Sequence, residues 1–333
     1  MPGNGDNMNE TIKNLLPYGY VKRHSSGSSL FGEESHNAPE IYNSRGERMH
    51  VFYLKNSLNA HTPYSMVAGR ISDRILWDRF NQGLPVHFYS HQDMFDISPV
   101  NARRFGVLRE SESIVPEDYT KLLNSPDTAS LFERIFTHSE RILDRYPNAS
   151  FVPAYGVWYG TARYGGVMSD TAYMRKTKNI SVISSDKTLN EYHRLRLDLA
   201  RRAVSGGHVD GYGRAFDRYI EYKAAALTDY RYSIVVENGV FNNYFTEKIL
   251  DCFAAQTIPV YIGAPNIGDF FNADGIITIS AQDADNIESI LSRCTPEEYE
   301  NRLDAIRDNY DRVQGYLDFE NYILDNYGEL FTD

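Results

Sequence analysis

The stretch YRYSIVVENGVFNNYFTEKILDCFAAQTIPVYIGAP, residues 230–265, contains polar residues between its apolar runs. Its pattern predicts a strand, a loop, a helix and a second strand. Glu237 and Asn238 stand where the first strand is predicted to end, and Gly263 stands where the next strand ends. Ligands of parallel α/β sheets bind at the carboxyl ends of the strands. We therefore expect these three residues to point toward one crevice.

The predicted helix of this unit begins with residues that suit a phosphate ligand. Thr246 is a good N-cap, and Glu247 and Lys248 follow in the first turn. A lysine and the free N–H groups of a helix N-terminus suit a diphosphate, whereas an ionised Glu247 suits ribose or sugar hydroxyls. Alternatives stay open, because a first-turn lysine is usually solvated and an Asn–Gly dipeptide is usually just a turn.

The run ENGVFNNYFTEKI, followed by the strand and IGAPNIGDFF, resembles the donor-site signature of the α1,3/4-fucosyltransferase family, glycosyltransferase family 10. The likeness extends to bacterial-type members over roughly residues 50–290. Asn238, Tyr244, Glu247 and Lys248 fall at the intervals of that signature. The resemblance implies that these residues contact the donor substrate, GDP-fucose or a related GDP-sugar, and that the enzyme needs no cofactor.

A second block is similar to the same family. ISVISSD, residues 180–186, matches a family strand that ends in Ser–Asn, and Arg196 lies at the expected distance before VDGYGR. The resemblance implies that Ser185 belongs to the donor site and that Arg196 grips the pyrophosphate.

A third block, FGVLRESESIVPEDY at residues 105–119, is similar to the family's N-terminal strand and its Glu-Ser-Pro segment. Position for position, the resemblance implies that Glu110 is the catalytic carboxylate, a general base in an inverting transfer to a glycan hydroxyl. Glu112 is the alternative base. If it has no catalytic role, we expect it to be an exposed loop carboxylate. The two would share one face if the strand continued.

Three departures from the family pattern leave the exact sugar open. Gly239 replaces the usual Ser, Asp186 replaces the usual Asn, and Glu112 replaces the usual Pro. Asp186 would bring negative charge to a diphosphate site, unless it is a helix N-cap that faces away.

The elements that must position these residues alternate between short apolar runs and helical patterns. Such alternation predicts an α/β fold with parallel sheets wrapped by helices. Predicted strands lie at 51–54, 86–89, 105–108, 135–137, 180–184, 232–236, 258–262 and 275–279, and predicted helices lie around 66–82, 139–146, 189–203, 246–256 and within 296–330. The resemblance implies two doubly wound Rossmann-like domains facing a cleft, the architecture called GT-B.

The length of 333 residues exceeds what one hydrophobic core usually supports, so the sequence predicts more than one domain. We expect a loosely ordered lead-in over 1–48 and an acceptor-side domain over 49–158. A nucleotide-sugar-binding domain over 159–295 and C-terminal helices over 296–333 complete the division.

Composition excludes several classes of function. The net charge of −11 repels nucleic acid, and Cys252 and Cys294 are too few for a disulfide scaffold or a zinc site. No apolar run approaches a transmembrane segment, and the N-terminus lacks a secretory pattern. We expect a cytoplasmic enzyme, peripheral to the membrane where glycans are assembled, whose partners are a GDP-sugar and an oligosaccharide acceptor.

Other functions remain alternatives. Asp283 and Asp285 form an Asp-x-Asp pair that a metal-dependent transferase would use, although we expect no metal, and His193 is either a phosphate contact or an ordinary satisfied histidine. A transferase for another GDP-sugar and a non-catalytic sugar-nucleotide or glycan-binding protein also fit. The glycine cluster GGHVDGYGRAF lacks the dinucleotide-binding spacing of an oxidoreductase.

Overall fold

The computed structural model describes residues 21–22, 40–58, 72–159 and 176–332. The chain divides into two compact units, Met1–Gly106 and Val107–Asp333. This division differs from the domain boundary predicted at 158–159, which falls inside the second unit and stays a prediction.

The first unit is built on strands. They are β1 (Val21–Lys22), β2 (Ile41–Tyr42), β3 (Arg48–Lys55), β4 (Ile75–Asp78) and β5 (Val86–Ser90), and β6 (Arg103–Leu108) crosses the division between the units. β2 pairs antiparallel with β1 and β3, and β3 pairs parallel with β4 and β5. Ordered structure thus begins before Met49, the predicted start. Residues 1–20 and 23–39 of the predicted lead-in lie outside the described residues.

The helix predicted around 66–82 is wrong where the structure describes it, because residues 75–78 form the buried strand β4. Trp77 meets the Phe88 ring edge-on, with the ring centroids 4.9 Å apart, and Phe88 stacks on Phe105 at 5.0 Å. A short apolar run that is buried on all sides cannot be assigned to helix or strand by periodicity alone. Residues 66–71 of the predicted helix lie outside the described part of the chain.

The second unit contains a parallel sheet in the order β10-β9-β11-β12-β13. Its strands are β9 (Lys178–Ile183), β10 (Val209–Tyr212), β11 (Tyr230–Val236), β12 (Ile258–Ile262) and β13 (Ile277–Thr278). Helices α4 (Glu191–Ser205), α5 (Ala224–Leu227) and α6 (Glu247–Ala254) connect them. The strands and helices predicted between residues 180 and 279 are confirmed, with ends that shift by a few residues.

The remaining elements of the second unit lie before and after this sheet. β7 (Arg134–Thr137) pairs parallel with β8 (Ala149–Phe151), among α1 (Pro116–Leu123), α2 (Pro126–Ala129) and α3 (Glu140–Arg145). The chain ends in α7 (Ile287–Leu291), α8 (Pro296–Glu300), α9 (Leu303–Val313) and α10 (Phe319–Tyr327). In the described part of the chain, no helix has the length and hydropathy to cross a bilayer.

Strand β11 is buried on both of its faces. Ile234 packs in the cluster that contains Leu199 of α4, whereas Val235 packs in the cluster that contains Ile249 and Leu250 of α6. Helices on both faces of a parallel sheet explain why the strand reads as a continuous apolar run. After β9 the chain forms β10 on one side of β9 and then crosses back to form β11 on the other side, so a crevice for ligands is expected where β9 and β11 end.

Gly156 lies where the segment after β8 packs against the backbone at Leu317, between α9 and α10. The Val157 amide donates to the Leu317 carbonyl at 2.9 Å, and a Cβ on Gly156 would lie 2.3 Å from that carbonyl oxygen. Because the obstacle is backbone, no side-chain rotation relieves it.

We expect Gly156→Ala to lower the free energy of unfolding by about 1–3 kcal/mol, the usual cost of overpacking. Chemical denaturation measures this. Gly315→Ala is the matched control, because a Cβ there meets nothing within 4 Å, and it should be nearly neutral. Equal stability of the two variants would contradict this packing.

Candidate functional site

A cavity of about 340 Å³ lies in the second unit, where β9 and β11 end. Ser185 and Asn238, just beyond these two strands, line it. Its charged lining residues are Glu110, Lys187, Arg196, Lys223, Glu247, Lys248 and Asp251. The size is that of a pocket for a small organic ligand, and four cations face three carboxylates.

Glu237 directly follows the last residue of β11 and is fully buried. Contrary to the expectation from the sequence, it does not line the cavity. Its carboxylate accepts from the Thr246 amide at 2.9 Å, from the Thr246 hydroxyl at 2.7 Å and from Lys248 Nζ at 3.1 Å. Gly263 is also absent from the lining. Glu237 therefore fixes the start of α6 from behind the cavity.

The start of α6 is held as predicted, because the Thr246 side chain caps it by accepting from the Lys248 amide. Lys248 is not a merely solvated lysine, since its ammonium contacts both Glu237 and the Thr246 hydroxyl. Its Nζ also lies 3.6 Å from Glu247 Oε1. The first turn thus presents a cation and a carboxylate together.

Lys223 extends this network to a second carboxylate. Its Nζ lies 3.6 Å from Glu247 Oε1 and 2.7 Å from Asp251 Oδ2. Burial raises the pKa of Glu247, but Lys248 and then Lys223 outweigh it and hold the pKa at about 2. Burial raises the pKa of Asp251 to about 6, against the opposing effect of Lys223. Glu247 is therefore an ionised acceptor at neutral pH.

Arg196 belongs to α4 and lines the cavity. Its Nη1 donates to Asn238 Oδ1 at 3.2 Å and its Nη2 donates to Ser185 Oγ at 3.1 Å, both neutral oxygens. The side chain is buried, and its Nε has no hydrogen-bond partner among the described residues. A buried guanidinium without a directly bonded carboxylate is a favourable position for an anion.

His193 lines the cavity and is buried rather than a surface histidine. Its Nε2 lies 3.0 Å from Asn238 Oδ1, which also accepts from Arg196. The amide oxygen requires a donor, so Nε2 carries the proton and Nδ1 keeps the lone pair. Burial, followed by the charge of Arg196, lowers the pKa of His193, which favours this neutral form.

The turn that carries Asn238 is clamped from the loop after β6. The Asn238 carbonyl accepts from Ser113 Oγ at 2.6 Å and from Asn190 Nδ2 at 2.7 Å. A Cβ on Gly239 would lie 2.5 Å from the Phe241 ring and 3.0 Å from Ser113 Oγ. The glycine therefore fits a turn that leaves no space for a serine side chain without rearrangement.

Glu110 lines the cavity through the loop after β6. Its Oε1 accepts from the Ser111 amide at 2.8 Å and its Oε2 accepts from the Tyr155 hydroxyl at 2.9 Å. Burial, followed by the charge of Glu110, raises the pKa of Tyr155 well above its usual value, so the hydroxyl stays a donor. Both oxygens of the carboxylate are thus held in place.

Glu112 does not line the cavity. The prediction that it is an exposed loop carboxylate is wrong. It is buried, accepts from Ser139 Oγ, and pairs with Arg141 Nη1 at 3.1 Å. The strand ends at Leu108, so Glu110 and Glu112 lie beyond it and their side chains need not share one face.

Two other predicted residues lie away from the cavity surface. Tyr244 is fully buried against His138, with ring centroids 4.8 Å apart, and its hydroxyl has no partner within the described ranges. Asp186 is exposed, and the N-cap of α4 is Asn190 rather than Asp186. Neither residue belongs to the lining.

The sequence did not single out Tyr155, Trp158, Lys223 and Asp251 as cavity residues, yet all four line it. The aromatic stretch around 153–165 was a signal for the first two. No local pattern marks Lys223, because only the folded chain brings it to α6.

The described residues contain no cluster of three or more potential metal-ligating side chains. Asp283 instead accepts from the Ser280 amide and hydroxyl, and Asp285 pairs with Arg202 at 3.1 Å. Asp283 is therefore engaged by a local contact and Asp285 by an ion pair with a distant part of the chain.

The fold is shared with solved glycosyltransferases. HepE from Anabaena, in complex with UDP and glucose, superposes with a TM-score of 0.55 at 9% identity over 85% of this chain and 99% of that one. Sucrose-phosphate synthase from Thermosynechococcus elongatus gives 0.50 at 14% identity over 75% and 73%. The α/β sheets and these neighbours define a GT-B fold.

Within that class, residues 173–294 match the family model described as glycosyltransferase family 10 (fucosyltransferase) C-term. The Alpha-(1,3)-fucosyltransferase FucT of Helicobacter pylori is 32% identical over 60 residues, which span 18% of this chain and 13% of that one. This segment of the chain is therefore similar to the C-terminal domain of glycosyltransferase family 10, as the resemblance predicted.

We expect Glu237→Gln to lower the free energy of unfolding by about 1–3 kcal/mol, because it weakens buried charge-assisted bonds to Thr246 and Lys248. Denaturant titration measures the change. In the control, Glu298→Gln, the pair with Arg302 is half-exposed and the change should stay within about 0.5 kcal/mol. If Glu237→Gln leaves the free energy of unfolding unchanged, Glu237 does not anchor the start of α6.

Proposed function

We propose that the chain is an inverting glycosyltransferase that binds a GDP-sugar in the cavity of the second unit. GDP-fucose is the first candidate donor, and a hydroxyl of a glycan is the acceptor. The family 10 domain and the donor-site intervals of Asn238, Glu247 and Lys248 support this assignment. The acceptor, its linkage and a cytoplasmic location stay predictions.

The observation that carries the proposal is the environment of the Arg196 guanidinium. A buried guanidinium whose direct partners are neutral, and whose Nε is unpartnered in the described structure, gains most from an anionic ligand. Lys248 is shared with Glu237 and Glu247, so it supplements Arg196 rather than replacing it. We propose that these cations balance the diphosphate charge that a metal ion balances in other transferases.

The chemistry proposed for Glu110 follows from its position in the same cavity. As the acceptor oxygen forms its bond to the anomeric carbon, the carboxylate takes the hydroxyl proton. The bond from the anomeric carbon to the diphosphate oxygen breaks, and GDP leaves with the electron pair. Arg196 and Lys248 stabilise the growing negative charge of the leaving group. A single displacement inverts the anomeric centre.

Two alternatives use the same residues. A transferase for another GDP-sugar fits, because Arg196 and Lys248 are assigned to the diphosphate rather than to the sugar. A non-catalytic sugar-nucleotide or glycan-binding protein also fits. A carboxylate held by two donors in the cavity favours an enzyme, since a pure binder has no need of a base there.

GDP should bind at least about tenfold more tightly than UDP, because a site built for one set of base donors and acceptors leaves polar groups unpaired with another. Calorimetry in EDTA measures both affinities, and added Mn²⁺ should change neither. Equal binding of the two nucleotides would contradict the GDP assignment, and binding only with Mn²⁺ would contradict the metal-free mechanism.

Arg196→Ala should weaken GDP binding by about tenfold or more through loss of charge-assisted bonds, and Lys248→Ala should act in the same direction. Calorimetry measures both. Arg194→Ala is the matched control, since Arg194 is an exposed cation on the same helix and should leave the affinity unchanged. If Arg196→Ala binds GDP like the parent, Arg196 does not hold the diphosphate.

Glu110→Gln should lower kcat by about 10²–10⁴-fold and leave GDP affinity nearly unchanged, because a general base acts on the acceptor rather than on the nucleotide. Glu112→Gln, which affects a carboxylate outside the cavity, should reduce kcat by about tenfold or less. Steady-state kinetics and calorimetry on both variants make the comparison. A fully active Glu110→Gln would remove the proposed base.

A further inference from the structure

One wall of the cavity runs without a break from the proposed base toward α6. Tyr155 donates to Glu110 Oε2, and its ring meets the Trp158 ring edge-on with centroids 5.8 Å apart. Lys223 Nζ lies 5.3 Å from the centroid of the Trp158 ring. All four residues line the cavity. Trp158 and Lys223 therefore follow Glu110 along this wall.

The same wall continues to the proposed diphosphate contacts. Lys223 Nζ lies 3.6 Å from Glu247 Oε1, and that oxygen lies 3.6 Å from Lys248 Nζ. Trp158 and Lys223 thus occupy the middle of the wall, between the base and the cation that faces the leaving group. In a nucleotide sugar, the group between the diphosphate and the attacking hydroxyl is the sugar.

Trp158 has an unused hydrogen-bond donor. Its indole N–H is buried and lacks a partner in the part of the chain that the structure describes. Its backbone is fixed, because the Trp158 amide donates to Asp251 Oδ1 at 2.5 Å. A buried N–H without a partner is unfavourable, and a hydrogen bond to a ligand oxygen would remove that cost. The donor is therefore a natural contact for a bound hydroxyl group.

Lys223 also keeps one donor in reserve. An ammonium group has three N–H donors, and among the described residues only the carboxylates of Glu247 and Asp251 lie within ion-pair distance of it. These partners and the Trp158 ring restrict where the third N–H can point. A rigid donor beside an unsatisfied indole N–H suits a ring that carries several hydroxyl groups.

We propose that Trp158 and Lys223 form the subsite for the sugar of the donor, with their free N–H groups donating to oxygens of its hydroxyl groups. The inference rests on the proposed function, because it takes the diphosphate to lie at Arg196 and Lys248. It assigns selection of the sugar to residues outside the Asn238 to Lys248 segment. Asp251 acts as a positioning residue that holds both members of the subsite.

Calorimetry with GDP and with GDP-fucose tests the subsite without requiring turnover. Trp158→Phe keeps an aromatic ring but removes the N–H donor. We expect its affinity for GDP-fucose to fall about three- to tenfold, the effect of one neutral hydrogen bond, while GDP affinity changes less than about twofold. The exposed neighbour of Lys223 provides a control, since Tyr222→Phe should leave both affinities unchanged.

A second variant examines Lys223 without leaving a buried charge unpaired. Lys223→Met combined with Asp251→Asn removes the ion pair and retains an acceptor for the Trp158 amide. We expect this double variant to lower the affinity for GDP-fucose more than the affinity for GDP. Normal GDP binding by each variant verifies that the protein is folded.

The outcomes separate this inference from the proposed function. If both variants lose GDP and GDP-fucose affinity equally, these residues contact the nucleotide, and the sugar subsite is overturned. If neither ligand is affected, the subsite is also overturned, while the proposed function stands. If the parent protein does not bind GDP, the proposed function fails, and the inference fails with it.

Discussion

The buried carboxylate of Glu237 is the constraint on which the site depends. A fully buried carboxylate is costly unless it is well paired, and Glu237 reaches its partners only if α6 begins at Thr246 beside the end of β11. The same contacts bring Lys248 to the carboxylate. The strand end, the helix start and the cation at the cavity are therefore fixed together.

Charges alternate outward from that anchor. Glu237 contacts Lys248, Lys248 approaches Glu247, Glu247 approaches Lys223, and Lys223 pairs with Asp251. Because each charge has an opposite neighbour, the series stays largely buried without one uncompensated ion. Arg196 stands apart from it, bonded to neutral oxygens. The distinction separates the cations that hold the site together from the cation best prepared for a ligand.

The cavity is assembled from distant parts of the second unit. The loop after β6 contributes Glu110 and also Ser113, which clamps the Asn238 turn. The segment after β8 contributes Tyr155 and Trp158, which hold the carboxylate and continue the wall. The proposed base and the proposed nucleotide site lie on separate segments and need such cross-connections, because the proposed transfer requires both at fixed distances.

The sequence by itself determined the α/β class, four of the five strands of the second sheet and the cap of α6, because periodicity and capping are local properties of the chain. The signature intervals also singled out Arg196, Asn238, Glu247 and Lys248, and all four line one cavity; their contact with a donor stays a prediction. Only the tertiary structure decided that Glu237 turns inward, that Glu112 pairs with Arg141 and that Lys223 joins α6. It also turned the predicted helix at 75–78 into a strand. These outcomes depend on contacts between residues far apart in the chain, and on burial that local patterns do not encode.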